Sequence, residues 1–119
     1  MKTGPLALAL VASLFSSAAF AHAHLLSQSP LANDSAAAPS QLTLSFSEGL
    51  EAALSGVIVK TSNGAPVRTG AASLDPNSDR TLIVPLTGRL SPGEYVVEWH
   101  ALSKDGHVTK GKYQFRVVL

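Results

Sequence analysis

Two stretches near the C-terminus constrain the fold more than any other feature of this chain. From Glu94 onward, Tyr95, Val97, Trp99 and Ala101 alternate with Val96, Glu98, His100 and Leu102. After a short interruption, Tyr113, Phe115 and Val117 alternate with Lys112, Gln114 and Arg116. A period of two would scatter apolar residues around a helix, but it lines them along one face of a strand. Each stretch therefore sends an aromatic stripe into a core and polar residues outward. The interruption, Ser103-Lys104-Asp105-Gly106-His107, carries the Asp-Gly pair of a hairpin turn.

Similar signals recur upstream. Leu42, Leu44 and Phe46 alternate with Thr43, Ser45 and Ser47, and Gly56 to Lys60 is a β-branched run followed by Asn63-Gly64, a hairpin signal leading into Ala65–Arg68. Thr81–Leu86 reads as a strand after the turn-rich Asp75–Asp79, and a short strand is expected near Leu25–Gln28. Ala36–Pro39 reads as a loop. The sum is about seven short strands in an all-β chain, a small antiparallel Greek-key β-sandwich or barrel of the Ig-like kind.

The first 21 residues do not belong to that pattern. Lys2, an uncharged apolar run from Leu6 to Phe15, and the small-residue ending Ala19-Phe20-Ala21 form the pattern of a cleaved secretory signal. The run is shorter than the roughly 20 apolar residues of a membrane span. Residues 1–21 are thus expected to be a leader and residues 22–119 a single exported domain. Cleavage after Ala21 exposes His22. A second A-x-A triplet, Ala21-His22-Ala23, would expose His24 instead.

Composition matters once the leader is set aside. The remaining 98 residues hold eight basic and eight acidic side chains, so the domain lacks the basic footprint of a nucleic-acid binder. Absence of cysteine excludes disulfide scaffolds, thiolate zinc sites and cysteine nucleophiles. No G-x-S-x-G elbow, phosphate-binding glycine loop or H-E-x-x-H helix is present.

Histidine is left as the chemistry-bearing residue: His22, His24, His100 and His107. The single methionine, Met1, leaves with the signal, so no sulfur donor remains to select Cu(I). Nitrogen and carboxylate donors suit Cu(II), Ni(II) or Zn(II), with copper favoured by divalent affinity. An N-terminal histidine offers two nitrogens, its α-amine and its imidazole, and the amine proton is readily displaced at neutral pH. Asp105 and His107 are the best candidates to complete a tetragonal set, with Gly106 free to bend between them. The bland reading of this loop is a plain hairpin turn, which accounts for Asp105 and Gly106 but not for His107. A second copper mode uses the same terminus. The His22 amine, two deprotonated backbone amides and the His24 imidazole would wrap the ion in a plane, which requires a flexible end. Glu48 is a candidate outer carboxylate. His100, opposite Trp99 by alternation, is expected to face solvent.

In chain order, His22-Ala23-His24-Leu25-Leu26, Ser29-Pro30, Leu42–Glu48 (LTLSFSE), Gly93–Trp99 (GEYVVEW) and Ser103–His107 (SKDGH) resemble the CopC-type periplasmic copper proteins, most of all their small YobA-like members. The likeness spans essentially all of residues 22–119. It implies a cupredoxin-like Greek-key domain in the periplasm. It also implies one Cu(II) held by the His22 amine and imidazole, Asp105 and His107. Glu48 matches the acidic residue of the family's F-S-E motif, near the metal. His24 has a counterpart in the YobA-like branch, whereas some relatives carry lysine there, which places it beside the metal rather than among its ligands. Some members hold Cu(I) in a methionine-rich loop; Gly64–Asp79 contains no methionine, so that second site is expected to be missing.

The function implied is copper homeostasis or resistance without catalysis, by a monomer that has an inner-membrane CopD-type protein as partner and no nucleic acid. Two rivals stand beside it. One is a copper-dependent oxidative enzyme of the histidine-brace kind, resembling polysaccharide monooxygenases. It would need a surface for glycan, and the five aromatics of residues 22–119 sit mostly at expected core positions. The other is a structural sandwich module without tight metal binding.

Overall fold

A computed structural model describes residues 22–119; the expected leader lies outside the described residues. Nine strands form two packed sheets: β1 (Leu25–Ser29), β2 (Ser35–Ala37), β3 (Gln41–Phe46), β4 (Gly56–Thr61), β5 (Pro66–Val67), β6 (Ser73–Asp75), β7 (Ser78–Pro85), β8 (Gly93–Leu102) and β9 (Val108–Val118). One sheet has the order β1-β3-β7-β6 and the other β2-β9-β8-β4-β5. The chain crosses between the sheets five times, as a Greek-key sandwich requires. A single 3₁₀ turn, Ala52–Leu54, lies between β3 and β4.

Alternation decides the core. Leu42, Leu44 and Phe46 of β3 and Leu82 and Val84 of β7 point inward from one sheet. Val59, Tyr95, Val97, Ala101, Tyr113, Phe115 and Val117 meet them from the other. Each large apolar side chain buried this way contributes roughly 1.5–3 kcal/mol. Tyr95 and Phe115, directly paired across β8 and β9, stack with centroids 5.7 Å apart. Phe46 meets Trp99 edge-on at 5.3 Å and ties the two layers together. The Trp99 ring lies over its cross-strand partner Gly111, where an added Cβ would come within 2.5 Å of the indole.

Three local expectations change. Ala36 and Ala37 are not loop but part of β2, which runs parallel to β9 through Ser35↔Arg116, Ala36↔Val117 and Ala37↔Val118. Alanine has weak strand propensity, so this strand is imposed by its neighbour and leaves no periodic trace. Its pairing also makes the second sheet mixed rather than wholly antiparallel. The turn-rich Asp75–Asp79 shrinks to a tight hairpin in which Asp75 pairs with Ser78, so β7 starts at Ser78. With β2 and β6, each three residues long, added to the expected set, the strand count among the described residues is nine rather than about seven. The Asn63-Gly64 hairpin forms as expected, with Gly64 at φ +90° and the Thr61 carbonyl accepting from the Gly64 N–H at 2.9 Å.

The two buried tyrosines of the stripe differ. Tyr95 Oη donates to the Ser91 carbonyl at 2.7 Å, whereas Tyr113 Oη is buried with no hydrogen-bond partner among the described residues. Burial accordingly pushes the Tyr113 phenol up. An unsatisfied buried hydroxyl costs about 1–3 kcal/mol. Tyr113→Phe is therefore expected to raise unfolding stability by about 1 kcal/mol in urea denaturation. Gly111→Ala is expected to lower it by about 1–3 kcal/mol, because the indole must leave its seat.

Candidate metal centre

Residues 22–24 run ahead of β1 and are held by backbone bonds from two side-chain hydroxyls. The Ser47 N–H donates to the His24 carbonyl at 2.9 Å. The Ser47 hydroxyl accepts the His24 N–H at 2.9 Å and donates to the His22 carbonyl at 3.1 Å. From the opposite sheet, Thr109 Oγ1 donates to the Ala23 carbonyl at 2.8 Å. Ala23 between them is fully buried. The arm thus lies in the seam between the sheets, with His22 at its end.

The loop between β8 and β9 is organised by Ser103, itself 1% exposed. Its N–H donates to the His107 carbonyl at 3.0 Å, and its hydroxyl accepts the His107 N–H at 3.3 Å. The same hydroxyl lies within reach of the Asp105 carboxylate and, at 3.1 Å, the His107 carbonyl. Gly106 takes φ +93°, a conformation that lets the turn close. Asp105 Oδ1 stands 3.1 Å from His107 Nδ1, and both side chains are about half exposed. Hydrogen bonds from Ser103 and then from His107 hold the Asp105 carboxyl below the usual aspartate range, so it is ionised at neutral pH.

A third segment, Ser47–Glu51, joins arm and loop. The Gly49 carbonyl accepts the Lys104 N–H at 2.9 Å, Leu50 bridges to Ser103, and the Glu51 N–H donates to the Leu102 carbonyl at 2.8 Å. Lys104 also reaches over Gly49 to Asp79, with Nζ to Oδ2 at 2.6 Å; a Cβ on Gly49 would stand 2.7 Å from that carboxylate oxygen. In water such a pair contributes little energy, but it fixes the loop's outer side.

These supports bring His22 and His107 together from the two ends of the domain, with ring centroids 4.9 Å apart and planes at 76°. Asp105 joins through His107. The expected ligands therefore form a linked row of imidazole, imidazole and carboxylate. Among the described residues, no three His, Cys, Asp or Glu side chains are already converged on one point. Glu48 is half-buried in the joining segment, and His24 is exposed on the arm. His100 is set apart on the outer face of the second sheet, over Gly56, as alternation implied. Sequence reasoning assigned no role to Ser47, Ser103 or Thr109. A serine inside a D-x-H turn is a weak turn signal, and nothing local marks Thr109, whose partner Ala23 is far away in the chain.

The CopC domain model matches residues 25–118. The chain belongs to the CopC family. Among CopC-family relatives, Protein YobA of Escherichia coli K12 is 44% identical over 91% of this chain and 88% of its own. Copper resistance protein C of Xanthomonas campestris pv. juglandis is 37% identical over 91% and 89%. Among solved CopC-family structures, CopC from Methylosinus trichosporium OB3b superposes with a TM-score of 0.75 at 38% identity, covering 81% of this chain and 93% of that one. PcoC from E. coli, described as a methionine-rich copper resistance protein, gives 0.76 at 30% identity over 82% and 100%. The present CopC-family chain departs from that description, since Met1 is its one methionine.

Because the folded-state pKa of Asp105 is depressed, the carboxylate's contribution to stability is complete above the ordinary aspartate value near 3.9 and is lost as pH falls through the folded value. Ser103→Ala removes the largest cause. It is expected to raise the Asp105 midpoint toward the ordinary value in a carboxyl NMR titration of metal-free protein, and an unmoved midpoint would contradict that assignment.

Proposed function

We propose that cleavage after Ala21 yields a periplasmic domain that binds one Cu(II) for copper resistance and homeostasis, through the His22 α-amine and imidazole, Asp105 and His107. The observation that carries this reading is the 4.9 Å edge-to-face approach of the His22 and His107 rings, with an ionised carboxylate 3.1 Å from the second ring. Three nitrogen donors, one amine and two imidazoles, with a hard carboxylate oxygen fit Cu(II), and the lack of sulfur after Met1 argues against Cu(I). Copper resistance protein C in three of the relatives' genera, and copper transport protein CutJ of Bacillus subtilis at 32% identity, support the same cargo.

The residues divide the work. Asp105 turns from Ser103 and His107 toward the ion, and Ser103 keeps hold of the loop backbone while it does so. Processing at Ala21 supplies the amine, so the first donor exists only in the exported form. Glu48, on the segment between arm and loop, acts as an outer carboxylate, and His24 stays outside the ligand set. The match covers 18% of CutJ, so in that copper transport protein the similar stretch is one part of a much longer chain. A CopD-type inner-membrane protein is the partner in keeping with that arrangement, and the domain itself works as a monomer.

Copper is cargo here rather than a reaction centre. Phe46, Tyr95, Tyr113 and Phe115 are buried and Trp99 packs against the core, which leaves no aromatic platform for a glycan among the described residues.

Spectroscopic Cu(II) titration against a competing chelator, with the N-terminus checked by mass, tests this reading. One equivalent is expected to bind to protein starting at His22. His107→Ala, or one extra residue before His22, is expected to weaken binding by more than the ~10–100-fold that loss of an outer partner costs. Glu48→Gln is expected to fall within that range. Full affinity in the extended protein would overturn the proposal.

A further inference from the structure

The His22-Ala23-His24 terminus has two ways to hold Cu(II), and the arm's supports discriminate between them. We infer that Ser47 and Thr109 are positioning residues that select the loop mode, by fixing the backbone that the wrapped mode would need. This rests on the copper site proposed above and adds to it the groups that decide how the terminus is used.

In the wrapped mode the ion takes the His22 amine, the backbone nitrogens of Ala23 and His24, and the His24 imidazole. Both amide protons are released to solvent, and residues 22–24 curl around the metal. The structure opposes each part of that change. The His24 N–H already donates to Ser47 Oγ at 2.9 Å, and the His24 carbonyl is tied to the Ser47 N–H. The His22 carbonyl accepts from Ser47 Oγ at 3.1 Å and the Ala23 carbonyl from Thr109 Oγ1 at 2.8 Å. Curling the arm would break these four bonds and lift the fully buried Ala23 methyl out of the core. The four hydrogen bonds and the seat of the Ala23 methyl are lost together if the arm curls, so the held arm works against the wrapped form.

The two hydroxyls come from different sheets, and Ser47 makes two of the three bonds they supply, so its loss alone loosens the arm and loss of both releases it. Ser47 follows β3, and Thr109 lies on β9, two residues beyond His107. Extended backbone puts His22 and His24 on the same side, away from Ala23. With the arm held, only His22 is brought against His107. Once released, His24 becomes the better-placed partner for the amine.

The test uses mature protein starting at His22, as Ser47→Ala/Thr109→Val and as Ser47→Thr/Thr109→Ser, which keeps both hydroxyls. Each is combined with His107→Ala or His24→Ala and titrated with Cu(II). A synthetic pentapeptide His-Ala-His-Leu-Leu gives the reference spectrum of the wrapped mode. Circular dichroism melting confirms that each variant is folded at the titration temperature; if the double variant is not, Ser47→Ala alone takes its place.

Wild type is expected to lose more than tenfold in affinity with His107→Ala and less than threefold with His24→Ala. In the hydroxyl-less variant that order reverses, and the copper visible band moves to shorter wavelength toward the peptide's, because amide nitrogens are strong-field donors. The hydroxyl-retaining variant is expected to behave as wild type. If the folded hydroxyl-less variant keeps its dependence on His107 and the wild-type band, the inference is overturned while the copper site stands. If wild type already depends on His24 and shows the peptide's band, the site itself fails.

Discussion

Most of this molecule follows from the register between β8 and β9. Ten consecutive residue pairs, from Gly93↔Val117 to Leu102↔Val108, bind the two strands without a bulge. A slip of one residue would turn Tyr95, Val97, Tyr113 and Phe115 from the core to solvent, so the register is held by the whole apolar face at once. Trp99 over Gly111 adds a lock, because a side chain at that position on β9 would collide with the indole. The same register determines where the connecting loop begins and ends. It therefore places Asp105 and His107 at one end of the sandwich, and Thr109 where it can reach the arm.

That dependence explains what the sequence revealed. The long strands β3, β8 and β9 were legible because their inward residues are buried on one side only, and one-sided burial writes a period of two. His22, Asp105 and His107 stood out as candidates through donor chemistry and through motifs that resemble those of CopC-type proteins. By contrast, β2 is made of Ser35, Ala36 and Ala37, whose preference is slight and whose strand character comes from Arg116–Val118. The hydroxyls that position the donors were hidden for another reason. Serine and threonine are ordinary on strands and turns, and only the fold shows that Ser47 and Thr109 converge on one tripeptide from opposite sheets.

The centre combines firmness and freedom in different places. The backbone of the arm and of the loop is fixed by Ser47, Thr109 and Ser103, while the side chains of Asp105 and His107 remain about half exposed. A rigid frame with open side chains suits an ion that must enter and leave. Such a site needs its donors pre-aligned, yet it cannot bury the ion so deeply that exchange becomes slow.

The short reach of β2 has a separate consequence. It covers the outer edge of β9 at Arg116–Val118, and the Asn33 N–H caps the Gln114 carbonyl, so among the described residues the stretch from Val108 to Tyr113 has no strand beside it on that side. An uncovered edge invites strand addition by another chain, and aggregation with it. Here the exposed positions of that stretch include Lys110 and Lys112, and bringing a second copy alongside would set like charges together. Along this edge the protection against strand addition is charge rather than cover.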